Sequence, residues 1–164
     1  MNNQDLFLLR ENVIIKKILY AYSNNELHTV RHFMTDELYK KLLRDLENDR
    51  RLGQKVVFEE VHVELAINRE YDALDKHYIE AICDCKNMKY IVKDGKVIGG
   101  SNENRSHYTT KALFMKNKDA EERTYITCDG CGVLFDLRKT GTCPTCWKSY
   151  DYEKYDYVVE ELEI

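Results

Sequence analysis

The amino-acid sequence predicts an α+β protein in which N-terminal helices pack on a curved antiparallel sheet, with a C-terminal zinc ribbon. Three observations lead to this prediction. Apolar residues recur at helical spacing over about residues 4–52, and the pattern then alternates from residue 56 to 115, as it does in strands. Finally, residues 128–146 hold two CxxC pairs, the motif of small zinc-binding ribbons.

The N-terminal region predicts two main helices with a short one between them. In the first, apolar residues recur every three or four positions, with lysines on the opposite face; the repeating residues are Ile14, Ile15, Ile18, Leu19 and Tyr22. The segment 23–27 (SNNEL) interrupts this helix. Thr35 is the expected N-cap of the last helix, since Asp36 and Glu37 then lie in its first turn, where the helix dipole favours acids. This helix ends at Gly53, a residue type common just past helix C-termini.

Period-two alternation follows the helices and predicts a meander of about four strands. Residues 56–67 place valine, leucine and isoleucine on one face and acids and histidine on the other, and residues 78–85 alternate similarly. Asp94 and Gly95 favour a type I′ hairpin turn, and residues 107–115 supply a further strand.

This pattern divides the chain into three parts. Residues 4–124 form the α+β domain and end in a polar connector. Residues 125–149 form the ribbon, and residues 150–164 form a final strand that returns to the sheet.

Length, composition and charge restrict the class of protein. A chain of 164 residues is long enough for one full domain and a small appendage, and 43% hydrophobic and 33% charged residues are typical of soluble globular proteins. The net charge of −4 provides no basic field to attract nucleic acid, which is therefore not an expected partner.

The start of the chain lacks the basic region and the long apolar run of a signal peptide. No segment approaches the roughly 20 apolar residues of a membrane span. We therefore expect a cytoplasmic chain with reduced thiols and no transmembrane segment. Peripheral contact with a membrane stays open.

The four C-terminal cysteines are the strongest signal in the sequence. Cys128 and Cys131 form the first pair and Cys143 and Cys146 the second, with eleven residues between the pairs. Each pair can form a tight turn that presents two thiolates, and four thiolates complete a closed tetrahedral site. We therefore expect one structural Zn²⁺, with iron as the less favoured ion. A redox role is disfavoured because neither pair starts a helix within a βαβ unit.

Six further residues are candidates for chemistry, each with an ordinary structural alternative: Cys83, Cys85, His28, His32, His77 and His107. The two cysteines lie two apart in a strand, where burial as small hydrophobic residues is expected. The first two histidines could share a metal, but they lack the HExxH frame, so surface positions are favoured. The last two could enter a pocket of the sheet. No carboxylate–histidine pairing is visible in the sequence, so an acid–base active site is not favoured.

The order of several segments resembles a known family. These are ELYKKLLRDLENDRRLGQKVVFEEVHVELA, MKYIVKDGKVIGG, HYTTKALFMKNK, the cysteine ribbon and YDYVVEELEI. Together they resemble bacterial Tim-forty-four-like proteins with a C-terminal zinc ribbon, which belong to the nuclear transport factor two-like superfamily. The resemblance runs from about residue 10 to the end, and its most specific parts are DELY (36–39), the DGKVIGG hairpin and the ribbon before a terminal strand.

The resemblance implies a cystatin-like cone, in which helices fill the concavity of a curved sheet and leave a hydrophobic pocket. Members are non-enzymatic adaptors, and the mitochondrial namesake anchors the import motor at the inner membrane. By this resemblance the metal ligands are Cys128, Cys131, Cys143 and Cys146, and the expected process is transport. Bacterial relatives commonly carry a transmembrane segment or a long N-terminal extension, which this chain lacks, so membrane anchoring is not implied.

We therefore expect a zinc-stabilised, non-enzymatic adaptor that binds a protein, peptide or lipid-like partner. Two alternatives stay open: a pocket enzyme or small-molecule binder of the same superfamily, and a ribosome- or nucleic-acid-associated zinc-ribbon protein. Trp147 occupies a ribbon position usually held by glycine. We expect it to pack the ribbon on the cone, and the alternative is an exposed anchor for the partner.

Overall fold

The computed structural model describes every residue from Met1 to Ile164 and has the predicted α+β architecture. Its helical elements are α1 (Asn3–Ser23), a 3₁₀ helix (Leu27–Phe33), α2 (Asp36–Arg51), the short α3 (Leu137–Thr140) and a 3₁₀ turn (Tyr152–Lys154). Its strands are β1 (Gln54–Ala73), β2 (Lys76–Lys93), β3 (Lys96–Gly100), β4 (Ser106–Asn117), β5 (Tyr125–Thr127), β6 (Leu134–Asp136) and β7 (Val158–Leu162). None of the helices combines the length and the apolar character needed to cross a membrane.

Side-chain caps define where the N-terminal helices begin. Asn2 and Asp5 form a capping box at the start of α1, in which each side chain accepts a hydrogen bond from the other residue's backbone N–H. Thr35 Oγ1 accepts from the backbone of Leu38 at 3.3 Å, which confirms the expected N-cap of α2. Gly53 follows α2 with φ of +68°, a conformation that glycine adopts without strain.

The main sheet is antiparallel throughout, with the order β1-β2-β4-β7. The short β3 pairs with the last residues of β2, beyond the part of β2 that pairs with β4. A separate two-stranded sheet pairs β5 with β6. Asp94 and Gly95 join β2 to β3 with φ of +51° and +74°, which confirms the turn expected there. The last strand, β7, returns to the main sheet beside β4.

The first two strands are much longer than the alternation predicts. β1 has 20 residues and β2 has 18, and they are joined at Leu74 and Asp75 by a tight turn that the sequence pattern did not indicate. The segment 78–85 and the first arm of the predicted hairpin are one continuous strand, β2. The difference arises because one face of an antiparallel sheet can be solvated, so polar residues on that face do not end a strand.

Two β-bulges bend β1 and curl the sheet into a half-barrel. The register shifts between Glu59 and His62 and again between Ile67 and Arg69, and such extra residues bend a strand and increase its twist. Helix α1 lies along the free edge of β1. Its Asn12, Tyr20 and Ser23 side chains accept hydrogen bonds from backbone N–H groups of that strand, at 2.9, 3.0 and 3.0 Å respectively. The edge is therefore covered by the helix.

The core fills the space between the concave face of the sheet and the helices. Cys83 is fully buried and Cys85 is 2% exposed, so the prediction that both are core residues is confirmed. The same apolar cluster includes Ile126, Phe135 and Leu137 of the ribbon, all at most 6% exposed. The ribbon therefore packs on the half-barrel through a shared core.

Candidate metal centre

Each CxxC pair lies in a tight turn held by two backbone hydrogen bonds. In the first turn, Cys128 N donates to Val133 O at 2.8 Å and Gly132 N donates to Cys128 O at 2.8 Å. Gly132, which follows the second cysteine of the pair, has φ of +79°. Without a Cβ it adopts this left-handed conformation at no steric cost.

The second turn repeats this geometry with a different residue. Cys143 N donates to Lys148 O at 2.9 Å, and Trp147 N donates to Cys143 O at 3.0 Å. Trp147 thus occupies the position that glycine holds in the first turn, and its φ is +65°. For a bulky residue this conformation is rare and strained.

The two turns bring all four cysteine sulfurs together. Every Sγ lies within 4.8 Å of the others, and the closest pairs are Cys128–Cys146 at 3.5 Å and Cys131–Cys143 at 3.6 Å. All four thiols are free, with one cysteine of each pair buried and the other exposed. The closest pairs join different turns, so all four predicted ligands are positioned to hold a single metal ion.

Tyr150 supports this centre from outside the set of four cysteines. Its hydroxyl donates to Cys128 Sγ at 3.2 Å and also lies 2.8 Å from Asp129 Oδ1. This hydrogen bond to the sulfur lowers the pKa of Cys128 to about 6, and so favours the thiolate that binds metals. Lys148 forms an ion pair with Asp129 on the same side. Sequence reasoning missed this tyrosine, whose only signal is its position shortly after the last cysteine.

Helix α3 connects the ribbon to the half-barrel. His32 Nε2 donates to the backbone oxygen of Arg138 at 2.7 Å. Gly141 ends α3 with φ of +71°, and a Cβ at this position would lie only 2.5 Å from the Cβ of His32. Only glycine fits this close approach without displacing His32.

A cluster of charged side chains is buried where α1, α3 and the Tyr152–Lys154 turn meet; we call it the buried ion cluster, and it consists of Arg10, Glu11, Arg138, Tyr152 and Asp156. Glu11 and Asp156 are each 1% exposed. Arg10 binds both carboxylates, at 3.3 and 2.8 Å, and Arg138 lies 3.7 Å from Asp156. Burial, reinforced by the negative charge of Asp156, raises the pKa of Glu11 to about 8. This shift favours the protonated form of Glu11 at neutral pH.

The first histidine pair does not form a metal site. His28 is exposed, whereas His32 is partly buried, and burial lowers its pKa. Both lie in the 3₁₀ helix, in which residues four apart do not stack as they do in an α-helix. Neither belongs to a cluster of three or more metal-ligating side chains.

His77 forms the carboxylate pairing that the sequence did not reveal. Its ring nitrogens lie 2.5 Å from Asp72 Oδ1 and 2.8 Å from Glu70 Oε1. Asp72 and His77 are opposite each other in the β1–β2 hairpin, so the pairing of these two long strands brings them into contact. These residues line a pocket of about 620 Å³ between the start of α1 and strands β1, β2 and β4. His107 instead pairs with Asp84 at an exposed position.

The expected packing of Trp147 on the half-barrel is wrong. Its side chain is 77% exposed and projects into solvent from the outer end of the second turn. The ribbon is instead packed through Ile126, Phe135 and Leu137, which bury their side chains in the shared core. These residues come from β5, β6 and α3, and one cysteine of each turn, Cys128 and Cys143, belongs to the same core cluster.

The fold and the site define an α+β protein with a curled antiparallel sheet and a C-terminal four-cysteine centre able to hold a metal ion. A scan of the sequence against protein-family models finds no match. A search of the curated proteins finds none either.

Proposed function

We propose that the four-cysteine centre binds one Zn²⁺ that stabilises the ribbon. With Zn–S bonds of about 2.3 Å, a tetrahedral site has sulfurs about 3.8 Å apart, close to the 3.5 and 3.6 Å of the two closest pairs. Four thiolates leave no coordination position open for a substrate, so the metal has a structural role in this proposal. Direct measurement of bound metal by mass spectrometry tests the choice of zinc over iron.

We also propose that the protein is a non-enzymatic adaptor that binds a protein partner through the outer end of the ribbon. The observation that carries the proposal is Trp147. Its left-handed backbone costs about 1–2 kcal/mol, and its exposed side chain returns no packing energy. A residue that costs stability and buries little of its side chain is expected at a functional position, and tryptophan is enriched at binding hot spots.

The resemblance to Tim-forty-four-like proteins agrees with this proposal. That family consists of adaptors, and a curved sheet closed by helices is the fold that the resemblance implies. We propose in the same way that the chain belongs to this family and has a role in transport. A partner bound to a membrane is compatible with them.

The test is affinity capture of the tagged chain from its own cells, with membrane and cytosolic fractions compared. We expect a specific protein partner that Trp147→Gly no longer retains. The variant itself should fold at least as well, because relief of about 1–2 kcal/mol of strain exceeds the roughly 0.5–1 kcal/mol entropic cost of glycine. A partner retained equally by both chains would remove Trp147 from the interface. Capture of no protein in either fraction would refute the adaptor function.

One observation favours a second candidate, a small-molecule binder or enzyme that uses the 620 Å³ pocket. His77 lies there between Asp72 and Glu70, close to Lys116 and the ring of Tyr157. A histidine held by carboxylates is a common group in general acid–base catalysis. A metabolite that raises the melting temperature of the native chain, and not that of His77→Asn, would support this candidate.

A further inference from the structure

Helix α1 is apolar on two sides, although only one of them faces the core. The inner side buries residues such as Phe7, Ile14 and Ile18. On the outer side, Leu6, Leu9 and Val13 are 53%, 56% and 52% exposed. Their spacing of three and four residues places them in one stripe along the helix. Contiguous exposed apolar side chains are a feature of surfaces that bind a partner.

The stripe ends at Val13, which lines a groove between the helices and the ribbon; we call it the α1 groove. Its volume is about 650 Å³. Val13, Ile14 and Lys17 line the α1 wall, Val30 and Phe33 of the 3₁₀ helix form an apolar floor, and α3 supplies the opposite wall. The groove is therefore apolar along its base and open to solvent above.

Basic side chains surround this groove. Lys16 and Lys17 follow Val13 by three and four residues, so they flank the stripe on both sides, and Lys139 lies on the opposite wall. The ion pairs in this region engage only Arg10 and Arg138, which leaves these three lysines without an acidic partner.

The acidic residues of the groove do not offset this charge. They are Glu26 and Asp136, and Asp136 caps α3 by accepting a hydrogen bond from the backbone of Arg138 at 3.1 Å. The whole chain has a net charge of −4, so the positive groove is a local feature. Its charge attracts acidic ligands selectively.

We propose that the α1 groove binds an acidic amphipathic helix of a partner protein. The stripe and its flanking lysines span residues 6–17, about 16 Å of helix, or three turns. A partner helix of similar length can place apolar residues at i, i+3 or i+4, and i+7 on the stripe and floor, with its acids facing the lysines. The proposal rests on the adaptor function and specifies the chemistry of the partner at a second surface, distinct from Trp147.

Selection from a display library of random 16-residue peptides against the zinc-loaded protein tests this directly. We expect enriched peptides to be rich in Asp and Glu, with apolar residues at helical spacing. Their affinity should fall about tenfold for the double variant Lys17→Gln/Lys139→Gln and for Val13→Asp. The matched control is Lys40→Gln/Lys41→Gln, which removes the same charge from exposed positions of α2 and should change affinity less than twofold.

Three outcomes would overturn the proposal. The first is enrichment of basic or non-helical peptides. The second is enrichment on the parent protein that is no greater than on the Lys17→Gln/Lys139→Gln variant. The third is groove-dependent binding to phosphatidylglycerol vesicles without any peptide enrichment, which would assign the groove to a membrane surface. Trp147→Gly should bind the selected peptides normally. If the peptide selection fails but affinity capture finds a partner that depends on Trp147, only the proposal for the α1 groove is refuted. If the selection succeeds but no captured partner depends on Trp147, only the proposal for Trp147 is refuted.

Discussion

Replacing Glu11 with glutamine should stabilise the protein at pH 8 and have little effect near pH 5. Glu11 belongs to the buried ion cluster, where it faces Arg10, Arg138, Tyr152 and Asp156. Burial raises its pKa from 4.5 to about 8. Glutamine has the same shape and still accepts the hydrogen bond from Arg10, but it never ionises.

The sign and size of the effect follow from proton linkage. Below pH 4.5 both the folded and the unfolded chain carry the proton on Glu11, so the group imposes no cost. Between pH 4.5 and 8 only the unfolded chain releases the proton, and the free energy of unfolding falls by about 1.4 kcal/mol per pH unit. Above pH 8 the loss is complete, at about 5 kcal/mol. Between pH 6 and 8 the advantage of Glu11→Gln should grow by roughly 2–3 kcal/mol.

Urea unfolding followed by circular dichroism, with zinc in constant excess between pH 6 and 8, measures this difference. Glu47→Gln is the matched control because Glu47 is exposed on α2, and it should change stability by less than about 0.5 kcal/mol at every pH. A difference between Glu11→Gln and the parent that does not vary with pH would show that Glu11 is ionised in the folded protein.

Three further predictions concern the ribbon. Cys143→Ser should release the metal and increase amide hydrogen exchange over residues 125–164, while α1 keeps its protection; retained zinc would contradict the structural assignment. Tyr150→Phe removes the hydrogen bond to Cys128 and should weaken zinc affinity about tenfold in a competition with a chelator, with a matching loss of about 1.4 kcal/mol in the stability of the zinc-saturated chain. Gly141→Ala should destabilise the fold by about 2–4 kcal/mol in urea unfolding, since the new Cβ is strained at φ of +71° and collides with His32, and an unchanged midpoint would refute that contact.

The sequence predicted the features that depend on short-range chemistry. The caps at Thr35 and Gly53, the Asp94–Gly95 turn and the four-cysteine centre are each specified by a few neighbouring residues of suitable type. Alternation also placed Cys83 and Cys85 in the core. Such local signals do not depend on how distant segments meet.

The features that the sequence did not reveal depend on strand register and distant contacts. Asp72 meets His77 only because β1 and β2 continue to a tight turn at Leu74 and Asp75, where no glycine or proline signals it. Glu11 and Asp156 are 145 positions apart in the chain, and no local pattern shows that Arg10 joins them. Trp147 was expected to be buried because it is large and apolar. Its exposure depends on which side of the ribbon packs on the half-barrel.

The metal centre and the α1 groove are physically connected through α3. Lys139 belongs to the groove wall, and it lies between Arg138, which faces Asp156, and Cys143, a predicted metal ligand. A four-residue helix does not hold its shape alone, because helix nucleation costs more than so few hydrogen bonds return. Its position therefore depends on its contacts, which include the buried side chain of Leu137, the hydrogen bond between His32 and Arg138, and the second cysteine turn that follows it. Removal of the metal should loosen the wall and weaken peptide binding at the groove even though no cysteine touches the peptide. If a chelator releases zinc and leaves peptide affinity unchanged, the half-barrel alone positions α3 and the proposed connection is wrong.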